Sequence, residues 1–326
     1  MPGLKKRLLI LGTGQLAVDL CHVILSKNWW LVDIVGFLDE KAERVEERLV
    51  NPGIIGTYDQ LIQLVEQHDV NTIIVCLEDR RSILPVQLLL DCKAIGVNII
   101  DGHHQFEEAS GRLSIDSLRP STLIFSDGFR RGLTSMASKR LFDVVVSAVG
   151  LVVLSPLFVL IASLIRLDSP GPSFYRQDRV GLSSRPYMIW KFRSMQQDAE
   201  KYGPQWAQTG DPRISRIGRW LRKTRIDEFP QLVNVLRGEM SLVGPRPERP
   251  EFVQGLRMNI PYYDLRHTVR PGMTGWAQVN FHYGASQDDS RTKLQYDLYY
   301  VKNFSLLLDL KILTYTIRVV MLGEGA

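Results

Sequence analysis

The sequence predicts an α/β protein in two parts, an open parallel sheet followed by a basic, membrane-associated α/β segment. Three observations predict it. Over about residues 1–117, short apolar runs alternate with helical patterns. From Val144 to Ile165 no residue is charged, a run long enough to cross about 30 Å of hydrocarbon. Charge is also divided unevenly. Residues 1–138 hold 14 Lys+Arg against 18 Asp+Glu, whereas residues 139–326 hold 26 against 17, so the second part is suited to phosphates or lipid headgroups. Nucleic acid is not expected, because no recognised binding module is present.

The first part, residues 1–117, opens with a buried strand, Arg7 to Leu11, then Gly12-Thr-Gly14-Gln-Leu-Ala17 and a helix start. This G-x-G-x-x-A pattern between strand and helix is the dinucleotide-type fingerprint, which makes Gly12 and Gly14 candidate nucleotide-binding residues. A second strand, Ile34 to Leu38, ends at Asp39, near the expected place of a ribose-binding acid. A third strand, Asn71 to Leu77, follows a helix around Tyr58 to Gln67, and a fourth, Val97 to Ile100, follows a helix around Val86 to Ala94. The alternation implies a Rossmann-like domain, read either as nucleotide-binding or as a regulatory or docking domain with an empty crevice. His103-His104 reads as loop polarity and Trp29-Trp30 as packing or a dimer contact. Cys21, Cys76 and Cys92 lie far apart without metal spacing, and fit a reducing compartment. No signal peptide is expected, since the apolar run Leu8 to Leu11 is too short for one.

Residues 118–138, rich in Ser, Gly and Arg, read as an irregular linker. The membrane helix follows at about 140–166. Basic residues flank both ends (Lys139, Arg140, Arg166), which places both ends on the cytoplasmic side. Ser155-Pro156 sits mid-run, where proline removes a backbone donor and a nearby hydroxyl can serve the freed carbonyl. A re-entrant helix that bends at Ser155-Pro156 satisfies both points. The alternatives are a straight span and a buried core helix.

In the segment 139–326, Gly171 to Gly181 reads as turn, strand, turn, and Tyr187 to Met195 alternates as a strand. Lys191 and Arg193 then share one face, and two cations there suit a diphosphate. Tyr187 and Lys191 also form a Tyr-x-x-x-Lys pair of the dehydrogenase type, discounted because it lies outside the Rossmann-like part. Arg222 belongs to a run of cations that precedes Asp227 and Glu228. The two acids are expected at or just before a helix start, with Pro230 in its first turn, Leu232, Val233 and Leu236 as its apolar stripe, and Gly238 as its stop. Cations, an anion-favouring helix start and two carboxylates suit phosphate and a divalent metal; the plainer reading is a helix cap beside a solvated acid. Arg246, between Pro245 and Pro247, is held stiffly enough for bidentate phosphate contact. Arg270 to Asn280 reads as a turn into a strand. Leu294 to Asn303 and Ser305 to Leu322 read as helices, the second either in the headgroup layer or in the core, with Asp309 and Lys311 resisting deep burial.

The string from Asp227 to Glu248, with Lys191-Phe-Arg-Ser-Met195 ahead of it, resembles the signature of the bacterial monotopic polyprenyl-phosphate phosphoglycosyl transferases, and the resemblance covers about residues 138–326. The first part resembles the so-called CoA-binding domain of larger members, and the uridine-nucleotide-sugar-binding domain of certain bacterial sugar acetyltransferases. The resemblance implies transfer of a sugar-1-phosphate from a UDP-sugar to undecaprenyl phosphate, with release of UMP, as the initiating step of exopolysaccharide, O-antigen or related glycan synthesis. It implies Asp227 as a nucleophile that forms a covalent phosphosugar, Asp227 and Glu228 as ligands of Mg²⁺, and Lys191, Arg193, Arg222 and Arg246 as phosphate contacts. It also implies a Ser-Pro-broken re-entrant helix, attachment to the bacterial inner membrane with both domains on the cytoplasmic face, lipid contacts and a homodimer. Two rivals belong to other classes: a membrane-tethered nucleotide-sugar sensor or scaffold without catalysis, and an NAD-dependent sugar-nucleotide oxidoreductase centred on Gly12.

Overall fold

The computed structural model describes residues 6–27, 32–47, 50–77, 84–116, 118, 120–197, 199, 211–281 and 286–322. It divides into two compact units, Met1–Ser126 and Asp127–Ala326, with the boundary inside the expected linker. Trp29-Trp30 lies outside the described residues.

Unit 1 runs β1 (Lys6–Leu11), α1 (Gln15–Ser26), β2 (Val32–Asp39), β3 (Ile54–Thr57), α2 (Leu61–Gln67), β4 (Thr72–Val75), α3 (Val86–Ala94), β5 (Asn98–Asp101), α4 (Gly102–Ser110) and α5 (Pro120–Phe125). The five strands pair in the order β3-β2-β1-β4-β5, all parallel. Neighbouring residues of β1 serve opposite layers. Leu8 and Ile10 pack with Leu16 and Leu20 of α1 and Phe106 of α4. Leu9 and Leu11 pack with Leu61 of α2 and Leu89 of α3. A strand buried on both faces must read as a continuous apolar run, which is why β1 is so plain in the sequence. Strand β3 was not expected; its four residues carry no alternation and include a glycine. His103 and His104 are not in a loop. They form the first turn of α4, where the Asp101 carboxylate accepts both their backbone N–H groups. The three cysteines are free and buried.

Unit 2 starts with α6 (Leu133–Asp168), followed by β6 (Phe174–Val180), β7 (Pro186–Phe192), α7 (Arg216–Lys223), a 3₁₀ turn (Ile226–Gln231), α8 (Leu232–Arg237) and β8 (Ser241–Val243). Then come α9 (Pro250–Asn259), a second 3₁₀ turn (Tyr263–Thr268), β9 (Gly272–Thr274), α10 (Trp276–Asn280), α11 (Gln287–Lys302) and α12 (Leu306–Leu322). Strands β6 and β7 form an antiparallel hairpin, and β8 pairs in parallel with β9. Three expectations need correction. The linker carries α5 and the first turns of α6, hidden by its Ser and Gly content. The segment after Gly275 is the helix α10, because the strand ends after three residues. Asp309 is buried, 1% exposed, because Lys139 Nζ lies 2.5 Å from its Oδ2 and the Tyr300 hydroxyl donates to its Oδ1 at 2.9 Å.

α6 is one element of 36 residues, about 54 Å at 1.5 Å per residue. Among the described residues it is the one helix long and apolar enough to cross a membrane. Pro156 lies inside it, and the carbonyl left without an N–H donor, that of Val152, accepts from Ser155 Oγ at 2.8 Å. One stripe packs along unit 2: Asp143 accepts from Leu242 N, Leu151 and Leu154 join the core around Val235, and Ile161 and Ile165 pack on Phe192 and Leu221. The opposite stripe, including Val149, Val152, Val153, Val159 and Leu160, is exposed. Lys139 and Arg140, the expected basic flank of the apolar run, are both engaged by protein groups. Lys139 is buried against Asp309, and Arg140 donates to the Val235 and Leu236 carbonyls at the end of α8.

Candidate active site

The carboxylate pair lies just before α8, as expected, in the first turn of a 3₁₀ segment that leads into it. Arg225 enters this turn with φ +59°, a left-handed conformation that a side chain with a Cβ adopts only when its surroundings hold it. The turn points both acids into unit 2, where Asp227 is 7% and Glu228 8% exposed. Glu228 Oε1 accepts from Lys191 Nζ at 2.7 Å and from Arg246 at 2.9 Å. Burial pushes the Glu228 carboxyl up, but Arg246, Lys191 and Arg225 outweigh it and hold Glu228 well below the usual carboxylate range. Asp227 goes the other way. Burial, and then the adjacent Glu228 charge, raise it above its ordinary value against the pull of Lys191, Arg222 and Arg225. Its Oδ1 is shielded from solvent and has no hydrogen-bond partner. One acid is therefore fixed as an anion by cations, and its neighbour presents a buried oxygen with unused acceptor capacity.

Each cation is positioned by a different element. Lys191 stands on β7, whose edge is tied down by Asn234 of α8: its Oδ1 accepts from Trp190 N at 3.0 Å, and its Nδ2 donates to Met188 O at 2.8 Å. The buried face of α8 is thus Leu232, Asn234 and Val235, not the expected apolar stripe, and Gly238 ends the helix with φ +81°. Arg222, on α7, donates through Nε to Ser194 Oγ at 3.0 Å. α7 can come this close to Ser194 because residue 218 is glycine; a Cβ there would sit 1.9 Å from Ser194 O. Arg246 is fixed by more than its prolines. Four consecutive carbonyls of its loop are each held from elsewhere: Pro245 O by Gly272 N, Arg246 O by Arg266, Pro247 O by Arg179, and Glu248 O by Val180 N, at 2.8–2.9 Å. Arg266 is itself fully enclosed, paired with Asp297 at 2.8 Å and donating to the Tyr263 hydroxyl at 2.6 Å.

The structure brings together Asp227, Glu228, Lys191, Arg222 and Arg246. It does not bring Arg193 to them. β7 ends at Phe192, and the Arg193 guanidinium donates to Pro170 O and Ser169 O, closing the connection between α6 and β6. Arg225, Asn234, Arg179 and Arg266 are site residues that the sequence reading did not single out. Arg225 carried a signal in the cation run; the other three act through contacts 20–68 residues away, which no local pattern encodes. In unit 1, Gly12 has φ +109° and a Cβ there would lie 2.9 Å from Cys76 O, so the turn requires glycine. Gly14 caps α1. Asp39 accepts from Thr13 Oγ1, from Arg44 at 2.8 Å and from Lys41 N at 2.9 Å. Tyr187 and Lys191 stand on β7 in unit 2, whereas the glycine turn belongs to unit 1.

A long apolar helix laid along an α/β body, beside a buried acid pair ringed by cations, defines a class: membrane-associated proteins with a charge-balanced carboxylate site. Residues 134–323 match the model of the bacterial sugar transferase family, and the chain belongs to that family. It is 46% identical over 220 residues to a UDP-N-acetylgalactosamine-undecaprenyl-phosphate N-acetylgalactosaminephosphotransferase of Aeromonas hydrophila, covering 68% of this chain and 51% of that protein. It is 33% identical over 330 residues to an undecaprenyl-phosphate glucose phosphotransferase of Komagataeibacter xylinus, covering 97% and 59%. It is 32% identical over 331 residues to a UDP-glucose:undecaprenyl-phosphate glucose-1-phosphate transferase of Xanthomonas campestris pv. campestris, covering 98% and 67%. The chain spans about half to two thirds of the length of these relatives.

Proposed function

We propose that this chain transfers a sugar-1-phosphate from a UDP-sugar to undecaprenyl phosphate, giving undecaprenyl-diphosphate-sugar and UMP. The names of the three relatives support the reaction class. The observation that carries the chemistry is the unpartnered, shielded Asp227 Oδ1 beside a Glu228 neutralised by two cations. Asp227 attacks the phosphorus that bears the sugar. An Oδ–P bond forms, the P–O bond to the uridylyl phosphate breaks, and UMP leaves with that oxygen and its electron pair. A phosphate oxygen of the lipid acceptor then attacks the same phosphorus and frees Asp227. Arg246 and Lys191, held beside the acid pair, stabilise the charge that develops on the equatorial oxygens, and their fixed positions avoid reorganisation during the reaction.

Asp227 and Glu228 offer hard oxygen donors, one of them unpartnered, which fits a divalent ion that takes one or two carboxylates and completes its shell with water and substrate phosphate. Among the described residues no cluster of three or more His, Cys, Asp or Glu forms a fuller cage. Mg²⁺ held there would supply charge neutralisation to the diphosphate.

We further propose that α6 is re-entrant and keeps both units on the cytoplasmic face. The packing of its inner stripe on unit 2, from Asp143 to Ile165, supports this, because a straight crossing would separate one half of the helix from that unit. The test of the reaction is Asp227→Asn. The wild-type protein with Mg²⁺ and UDP-sugar is expected to gain the mass of a phosphosugar and release UMP, and the variant to do neither. Appreciable UMP release by the variant rejects Asp227 as nucleophile.

A further inference from the structure

Between the C-terminal half of α6 and the β6–β7 hairpin lies a groove of about 720 Å³. Val159, Ala162, Phe174 and Trp190 give it an apolar floor, and Arg166 and Arg176 stand on its walls. Arg176 stacks over the Trp190 ring at 3.9 Å. Arg237 approaches the same ring at 5.6 Å. Neither Arg166 nor Arg176 makes a salt bridge or a side-chain hydrogen bond among the described residues. The apolar floor continues into the outward stripe of α6, where Val152, Val153 and Leu160 are exposed. An apolar trough with two uncompensated guanidinium groups is complementary to an anion that carries a hydrocarbon tail.

The groove is not the acid-pair site. Side chains alternate along β7, and Lys191 projects toward Glu228. Trp190 and Phe192 therefore project to the other face, where Phe192 packs with Ile161 and Ile165 of α6. In the paired strand, Arg176 is in register with Trp190 and Phe174 with Phe192. None of Lys191, Arg222, Asp227, Glu228 and Arg246 lines the groove, so its occupant meets a different set of side chains from the acid-pair site.

We propose that this groove is a binding site for an anionic phospholipid, whose phosphate lies between Arg166 and Arg176 and whose acyl chain lies over Val159, Ala162 and Phe174. The lipid fills the notch between α6 and the hairpin, and so seals the body of unit 2 to the bilayer surface. The proposal rests on the reading that α6 is membrane-embedded, and the experiment separates the two.

Full-chain protein is floated with vesicles of phosphatidylcholine alone and of phosphatidylcholine with about a third phosphatidylglycerol. Wild type is expected to float with both and to prefer the anionic vesicles. Arg166→Gln/Arg176→Gln is expected to lower that preference about tenfold or more, at on the order of 1 kcal/mol per basic residue near the surface, while keeping its binding to neutral vesicles. Ala162→Phe fills the groove without changing charge, and is expected to lower the preference as well. Lys41→Gln/Lys93→Gln, a charge-matched pair in unit 1, is expected to leave it unchanged. If wild type fails to float with neutral vesicles, the embedding of α6 is wrong. If it floats but Ala162→Phe and Arg166→Gln/Arg176→Gln keep the full preference, the groove is not a phospholipid site. A rise in the KM for undecaprenyl phosphate that parallels the lost preference would assign the groove to the acceptor and overturn the proposal.

Discussion

At the scale of single residues, the molecule separates two neighbouring carboxylates by what surrounds them. Glu228 is enclosed by cations and stays an anion, whereas Asp227 keeps an oxygen without a partner. His267 shows the same physics in a structural role. Burial, with Arg266 beside it, lowers its pKa to about 4. In the unfolded chain an ordinary histidine titrates near 6.5. Between those values the unfolded state binds the extra proton, so stability is full above pH 6.5 and is lost as pH falls toward 4. The loss is on the order of 1–3 kcal/mol. His267→Gln is expected to flatten that part of the urea-midpoint profile; an unchanged slope would mean that another group sets it. The acids, Lys191 and Arg246 were legible in the sequence because their spacing and their prolines are local. The position of Arg193 was not. Alternation put it beside Lys191, but the strand stops one residue earlier and a carbonyl pair takes its guanidinium.

At the scale of elements, the site is built from short pieces held by long-range donors. The loop around Arg246 has no regular structure of its own, yet four donors from other segments fix its carbonyls. Arg266→Met would leave Asp297 buried without its partner, at a cost of about 3–5 kcal/mol. The double variant Arg266→Met/Asp297→Leu is expected to recover most of that stability and still to lose about tenfold or more in kcat with little change in KM for the UDP-sugar, because Arg246 O has lost its donor. Recovery of both stability and turnover would make the pair a purely structural one. The helix α8 and its stop at Gly238 were expected, but its buried face was misjudged for a related reason. An asparagine on the buried face of α8 looks polar in sequence, but it completes the edge of β7, and only the fold supplies that edge.

At the scale of the whole molecule, the parallel sheet and the apolar helix were legible because their hydrophobic runs are long, while β3 was too short to register. The flanking Lys139 and Arg140 led to the expectation of a same-side topology, but both are engaged by protein groups, so the proposed topology draws no support from them. The topology rests on packing and has its own test. Single cysteines at Ser138 and Leu167, both exposed, are expected to react with an impermeant thiol reagent from the same face of sealed vesicles, with the three buried native cysteines silent. Reaction from opposite faces would make α6 a true crossing.

The pairing of Lys139 with Asp309 also bears on the order of biosynthesis. The two residues are 170 positions apart, so the ribosome delivers the lysine, and the whole apolar helix after it, well before the aspartate exists. Until α12 emerges, α6 carries an ammonium near its start without the carboxylate that pairs with it. Neutralisation of Lys139 therefore waits on α12.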